Sequence, residues 1–150
     1  TLLKPQTFMN LSGVSVQSFK SYYKLSNPDI LVAYDDYNLK LGESKLKIAG
    51  ADGGHNGISS IIMQIGADFP RFRLGIHPKC TASLNLSDFV LGQFEPPEVK
   101  LLNHLHPQWI REIQLILDKG IEKAMNQTNQ KQKERIEQTE NTVDHEEHSE

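Results

Sequence analysis

The sequence predicts a single α/β domain, a three-layer sandwich around a mostly parallel, mixed central sheet. Three observations point there. The stretch "ILVAY" (30–34) is a continuous apolar run bounded by polar turns, which suits a strand buried on both faces and so calls for a layer on each side. Short strand-like runs alternate with longer segments of helical periodicity along the chain. With 150 residues, of which 37% are hydrophobic, the chain has enough apolar material for one sizeable core.

Taken in order, "TLLKP" (1–5) is a short apolar run stopped by Pro5 and reads as the end of a strand. From Leu11 or Ser12, "LSGVSVQSFKSYYKL" places Val16, Phe19, Tyr22 and Tyr23 at helical spacing, and "SNPD" ends the helix. After the buried strand, "ESKLKI" (43–48) alternates apolar and polar residues as a half-exposed strand does. A glycine-rich loop, "ADGGHNG", follows. Then Asn56 starts and Gly66 stops a helix whose apolar positions are 58, 61, 62 and 65. "FRLGI" (72–76) is a strand closed by His77-Pro78, and "LSDFVLGQFE" suits one or two helical turns. Pro96-Pro97 opens a long amphipathic helix with Val99, Leu102, Leu105, Trp109, Ile113 and Leu117 inward. The domain is expected over residues 1–125, and the polar stretch 126–150, without aromatics, as a solvated tail.

Composition narrows the function classes. The formal net charge is -3, but residues 126–150 carry three basic and seven acidic side chains, so the rest of the chain is close to neutral. Such a body neither announces nor excludes a nucleic-acid partner. The lone cysteine, Cys80, rules out an internal disulfide and a cysteine-based zinc site, and a reducing compartment follows more easily. Nothing near Cys80 in sequence except His77 could serve it as a base, so it is read as incidental. No apolar run reaches the length of a membrane span. The tail string "HEEHSE" spaces its two histidines three apart, not four, and no metal site is expected there.

Four polar segments fall at strand ends or helix starts, the edge where α/β sheets build their sites: "TFMNLSG", "VAYDDYN", "GADGGHNG" and "FPRFRLGIHPK". Asp35 and Asp36 follow directly on the buried strand. A carboxylate there either orients a histidine and stabilises its imidazolium, or serves its own turn, and only one of the pair is expected to point inward. Asn10 and Asn56 stand at helix starts, where an amide either caps the helix or hydrogen-bonds a substrate carbonyl or oxyanion. Lys45, Lys47, Arg71, Arg73 and Lys79 flank the glycine loop as a phosphate-holding group or an ordinary solvated face. His55 lies near Asp52, but nothing in the spacing makes it a general base.

Together "KPQTFMNLSG", "ILVAYDD", "KLKIAGADGGHNGISSII", "FPRFRLGIHP" and "DFVLGQFE" resemble, in order and spacing, the bacterial-type peptidyl-tRNA hydrolase family. The resemblance covers residues 1 to about 120. It implies one α/β domain that hydrolyses the ester between a peptide and the 3′ end of tRNA, using a histidine as general base on water and no cofactor or metal. By the same resemblance Asp35 holds that histidine in its basic form, and Phe8, Asn10, His55 and Asn56 belong to the tRNA- and peptide-binding set. Lys45, Lys47 and Arg73 would meet tRNA phosphates, and "DFVLG" would form a mobile flap.

The family's first strand and its histidine lie ahead of "KPQTFMN", so an N-terminally incomplete member, inactive by itself, is expected. Asn38 stands where the family commonly has an acid, and His77 where it has glycine. The resemblance further implies a monomer acting on peptidyl-tRNA, without a membrane, in the cytoplasm, with an organelle left open. The alternative is an RNA-binding relative of splicing-factor type that kept the tRNA groove and lost hydrolysis. A nucleotide-binding domain is disfavoured, since the loop has no GxGxxG or Walker pattern.

Overall fold

The computed structural model describes residues 1–77 and 90–129. Three strands, β1 (Val32–Lys40), β2 (Ser44–Lys47) and β3 (Arg71–His77), form one mixed sheet in the order β1-β3-β2. β1 runs parallel to β3 with Val32 opposite Arg71, and β2 runs antiparallel to it with Lys47 opposite Arg71. Helices α1 (Ser12–Tyr23) and α2 (Asn56–Ile65) cover one face; α3 (Pro96–Lys119) and a further helical stretch over residues 121–129, α4, cover the other. The layering is therefore the α/β sandwich expected from the sequence.

Each face has its own apolar cluster. Ile58, Ile61 and Ile65 recur on one side of α2 and bury against Val16 and Phe69, with Val32 and Tyr34 of β1 packed on them. On the far face Leu46 and Phe72 meet Trp109, Ile116 and Ala124. Ile116 rather than Leu117 turns inward on α3, because Trp109, Ile113 and Ile116 keep to the inner stripe and Leu117 falls off it, 78% exposed. On α1 Tyr22 likewise points outward, while Val16 joins the buried cluster and Phe19 meets Tyr23 with ring centroids 4.5 Å apart.

Where the two near-side helices cross, Gly13 is required by contact. Its N–H donates to the Ser60 hydroxyl at 3.0 Å, and a β-carbon there would stand 2.1 Å from the Ser60 carbonyl oxygen. Gly13→Ala is expected to push α1 off α2 and lower stability by about 2 kcal/mol. Thermal unfolding should show a melting point roughly 5 °C lower.

Two expectations change here. "TLLKP" is not a strand: residues 1–5 are irregular and lie along the open edge of β1 without pairing to it. Among the described residues β1 is an edge strand with Ala33 exposed, while Ile30, Val32 and Tyr34 pack on one apolar cluster and Leu31 on the other. The packed body also runs past residue 125. Thr128 is buried, and the Asn129 side-chain amide both accepts from Leu46 N–H and donates to Leu46 C=O, each at 3.2 Å. A single side chain thus satisfies backbone groups on the outer edge of β2. Lys79, Cys80, the start of the "DFVLG" flap and the tail with "HEEHSE" lie outside the described residues. No described helix is long and apolar enough to cross a membrane.

Candidate functional site

The glycine loop is a turn that delivers one side chain to a helix start. Gly53 (φ 61°) and Gly54 (φ 83°) adopt left-handed backbone that a side chain would strain. Asp52 braces the turn, accepting from Gly54 N–H at 3.0 Å through its carboxylate and from His55 N–H at 3.1 Å through its carbonyl. Arg71, 1% exposed, holds the loop from beneath: its guanidinium donates to the carbonyls of Gly50 and Ala51, and to Ala67 at 3.3 Å, while lying over the Phe69 ring. Asn38 adds a hydrogen bond to Gly53 C=O at 3.4 Å.

His55, not Asn56, caps α2. Its Nδ1 accepts from Gly57 N–H at 3.1 Å and Ile58 N–H at 3.2 Å, so Asn56 becomes the first helical residue. The other ring nitrogen, Nε2, sits 3.2 Å from Asp35 Oδ1, and Tyr34 meets the ring edge to face at 5.1 Å. With both nitrogens engaged, His55 has none free to take a proton from water. Asp35 and His55 therefore come together, but His55 is not placed as a general base.

The adjacent carboxylates have separate tasks. Asp36 is the inward one: 6% exposed, it accepts from Arg73 Nε at 2.6 Å and from Asn38 N–H at 2.8 Å. Burial acts to raise its carboxyl, yet Arg73 and Asn38 prevail and hold it below the usual carboxylate range. Asp35 keeps 39% of its side chain exposed at the strand edge. The hydrogen bond from His55 is the strongest influence on it and lowers its carboxyl, against a smaller opposing effect of burial.

Because the folded Asp36 carboxyl titrates below its unfolded value, its contribution to stability is in place above about pH 4 and fades as pH falls through the lowered folded value. Asp36→Asn should cost about 2 kcal/mol at neutral pH, where Arg73 loses a charged partner. Melting curves of both proteins should converge as the solution is acidified.

Neither predicted asparagine caps a helix. Asn10 lies in the 3-10 turn Met9–Leu11 and Asn56 opens α2; both are exposed, and neither amide has a hydrogen bond among the described residues. That turn packs on the start of α2, where a β-carbon at Gly57 would stand 2.5 Å from Met9 Sδ. Phe8, just before it, is 81% exposed. Met9, Tyr34, Asp35, His55 and Gly57 line a mainly apolar groove of about 730 Å³ along the open edge of β1. Among the described residues no three His, Cys, Asp or Glu side chains gather as metal ligands.

The basic group divides. Lys45, Lys47, Arg71 and Arg73 share one sheet face, but Arg71 is committed to the loop and Arg73 to Asp36. Arg73 is thus a structural cation, already neutralised, rather than a free member of a phosphate surface. Lys45 and Lys47 remain exposed and without an ion pair among the described residues. They stand on β2, with β3 between them and Asp35, about 10 Å away across two strand spacings. Two supports were missed in the sequence, Tyr34 against the His55 ring and Arg71 as the anchor of the loop. Two residues apart on one strand, Arg71 and Arg73 share a face, but only the fold shows Arg71 buried.

Comparison with known proteins agrees with this arrangement. The Peptidyl-tRNA hydrolase family profile matches residues 1–136. Peptidyl-tRNA hydrolases of a Nostoc species and of Fervidobacterium nodosum are 42% and 44% identical over 133 and 128 residues, each covering 85% of this chain. The crystal structure of peptidyl-tRNA hydrolase from Acinetobacter baumannii superposes with a TM-score of 0.75 at 34% identity over 83% of this chain. The chain spans about two thirds of the relatives it matches, 66% of the Nostoc protein and 63% of the Acinetobacter chain. It belongs to the peptidyl-tRNA hydrolase family.

Proposed function

We propose that this chain forms the carboxylate and amide side of a site that hydrolyses peptidyl-tRNA. The observation that carries the reading is Asp35, anionic and held by His55 at one groove wall; Asn10 and Asn56 are exposed beside the groove residues Met9 and His55 in sequence, their amides without a hydrogen bond among the described residues. Ester hydrolysis needs a base to take a proton from water, donors for the oxyanion that forms at the carbonyl carbon, and a leaving group, here the ribose hydroxyl of the tRNA 3′ end. Asp35 would hold a histidine base in one tautomer and stabilise its imidazolium; Asn10 and Asn56 would grip the substrate carbonyl and amide groups; Phe8 offers a ring to stack on.

His55 cannot be that base, since both its nitrogens are engaged, and among the described residues no other histidine lines the groove. The proposed mechanism takes its base from the stretch that the family resemblance puts ahead of "KPQTFMN". The 150-residue chain by itself is expected to bind tRNA without turnover, as a monomer. The test is release of tRNA from an N-blocked aminoacyl-tRNA by a protein carrying that stretch, with Asp35→Ala as control. Release that collapses in the control supports the hydrolase; salt-sensitive tRNA binding without release would favour the RNA-binding relative.

Lys45 and Lys47 are the cations left to meet tRNA phosphates. Replacing both by glutamine should weaken tRNA binding and reduce the slope of log affinity against log salt by about one per lysine engaged. Filter binding across a salt series measures this.

A further inference from the structure

His55 is an uncommon choice for the position it holds. Asparagine, aspartate, serine and threonine are the usual caps, and any of them would accept from the amides of Gly57 and Ile58. None of them could at the same time reach a carboxylate twenty residues back on β1, whereas the imidazole does both from opposite edges of one ring. The surroundings fix the ring in that pose. Tyr34 packs against it, and a β-carbon at residue 57 would lie 3.0 Å from His55 Cε1 and 3.2 Å from Nδ1, so glycine there leaves the ring its place.

The hydrogen-bond pattern also selects the tautomer. Two backbone N–H groups aim at Nδ1, which must present its lone pair to both; the proton of the neutral ring is therefore on Nε2, facing Asp35 Oδ1. We propose that His55 is a positioning residue for Asp35: the start of α2 locks the imidazole so that Nε2–H occupies one carboxylate oxygen and leaves the other to orient the catalytic base. This rests on the hydrolase reading for the base, but the link from α2 through His55 to Asp35 is a property of the chain itself.

The experiment is nuclear magnetic resonance on the 150-residue chain. Imidazole nitrogen shifts should report His55 protonated on Nε2 and bare on Nδ1. The His55→Asn variant retains a capping oxygen but cannot reach Asp35. In it the α2 amides should keep their protection while the Asp35 carboxyl titrates at higher pH than in the parent. A ring protonated on Nδ1, or an Asp35 titration unmoved in a folded variant, overturns the proposal. If the variant does not fold, the tautomer in the parent decides alone. Neither readout depends on hydrolysis, so failure to release tRNA would defeat the hydrolase reading and leave this assignment standing.

Discussion

In a protein that carries the stretch ahead of "KPQTFMN", Asp35→Asn should lower the rate of tRNA release by about two to four orders of magnitude, on the order of what removing the orienting carboxylate costs in other histidine-based sites. Asparagine keeps the shape and still offers an oxygen to His55, but it has no charge to stabilise an imidazolium, and its amide can impose the wrong tautomer on the base. The loss should fall on kcat, with tRNA binding little changed. Stability should hardly move, because Asp35 sits half-exposed at the edge of β1 and makes no buried ion pair comparable to that of Asp36. The neighbouring Asp36→Asn should do the reverse, costing stability through Arg73 while leaving the orienting carboxylate in place. Measuring release and melting point on both variants separates the two adjacent acids by function. A release rate unchanged in Asp35→Asn would remove the carboxylate from the mechanism.

Much of this was legible in local sequence, and the reason is periodicity. α2 is written in Ile58, Ile61 and Ile65, and β2 in the alternation of Ser44 to Lys47, whose even members are buried. The segments of the candidate site stand out as well, since Asp35, Asn10, Asn56 and the glycines lie near element ends. What local pattern cannot supply is a partner from elsewhere. Asp35 and Asp36 look equivalent until Arg73, 37 residues on, takes Asp36 from across the sheet. Asn56 has the better capping propensity, yet His55 wins the cap because Asp35 and Tyr34 hold the ring where both α2 amides reach it. "TLLKP" has strand-like composition, but a strand is made by its neighbour, and residues 1–5 have none among the described residues.

Arg71→Met should be the most damaging substitution in the loop's support, lowering stability by about 3 kcal/mol. The aliphatic part of methionine can fill the space above Phe69, so packing loss is limited and the effect isolates the guanidinium. That group, on a side chain only 1% exposed, donates to the carbonyls of Gly50, Ala51 and Ala67. Ala51 and Ala67 are exposed and can turn to water, so most of the cost comes from losing hydrogen bonds to a charged donor, about 1.5–3 kcal/mol for such a bond. Loosening Gly50 and Ala51 frees the turn that aims His55, so the defect should reach Asp35 as well. In a protein that carries the upstream stretch, release should fall with the melting point, and amide exchange should accelerate from Gly50 through Gly54 before it does in α2. Urea unfolding together with exchange measurements tests both parts. A variant that loses stability but keeps loop protection would mean that Arg71 serves the sheet alone, and that His55 is held by Asp35, Tyr34 and the α2 amides without support from below.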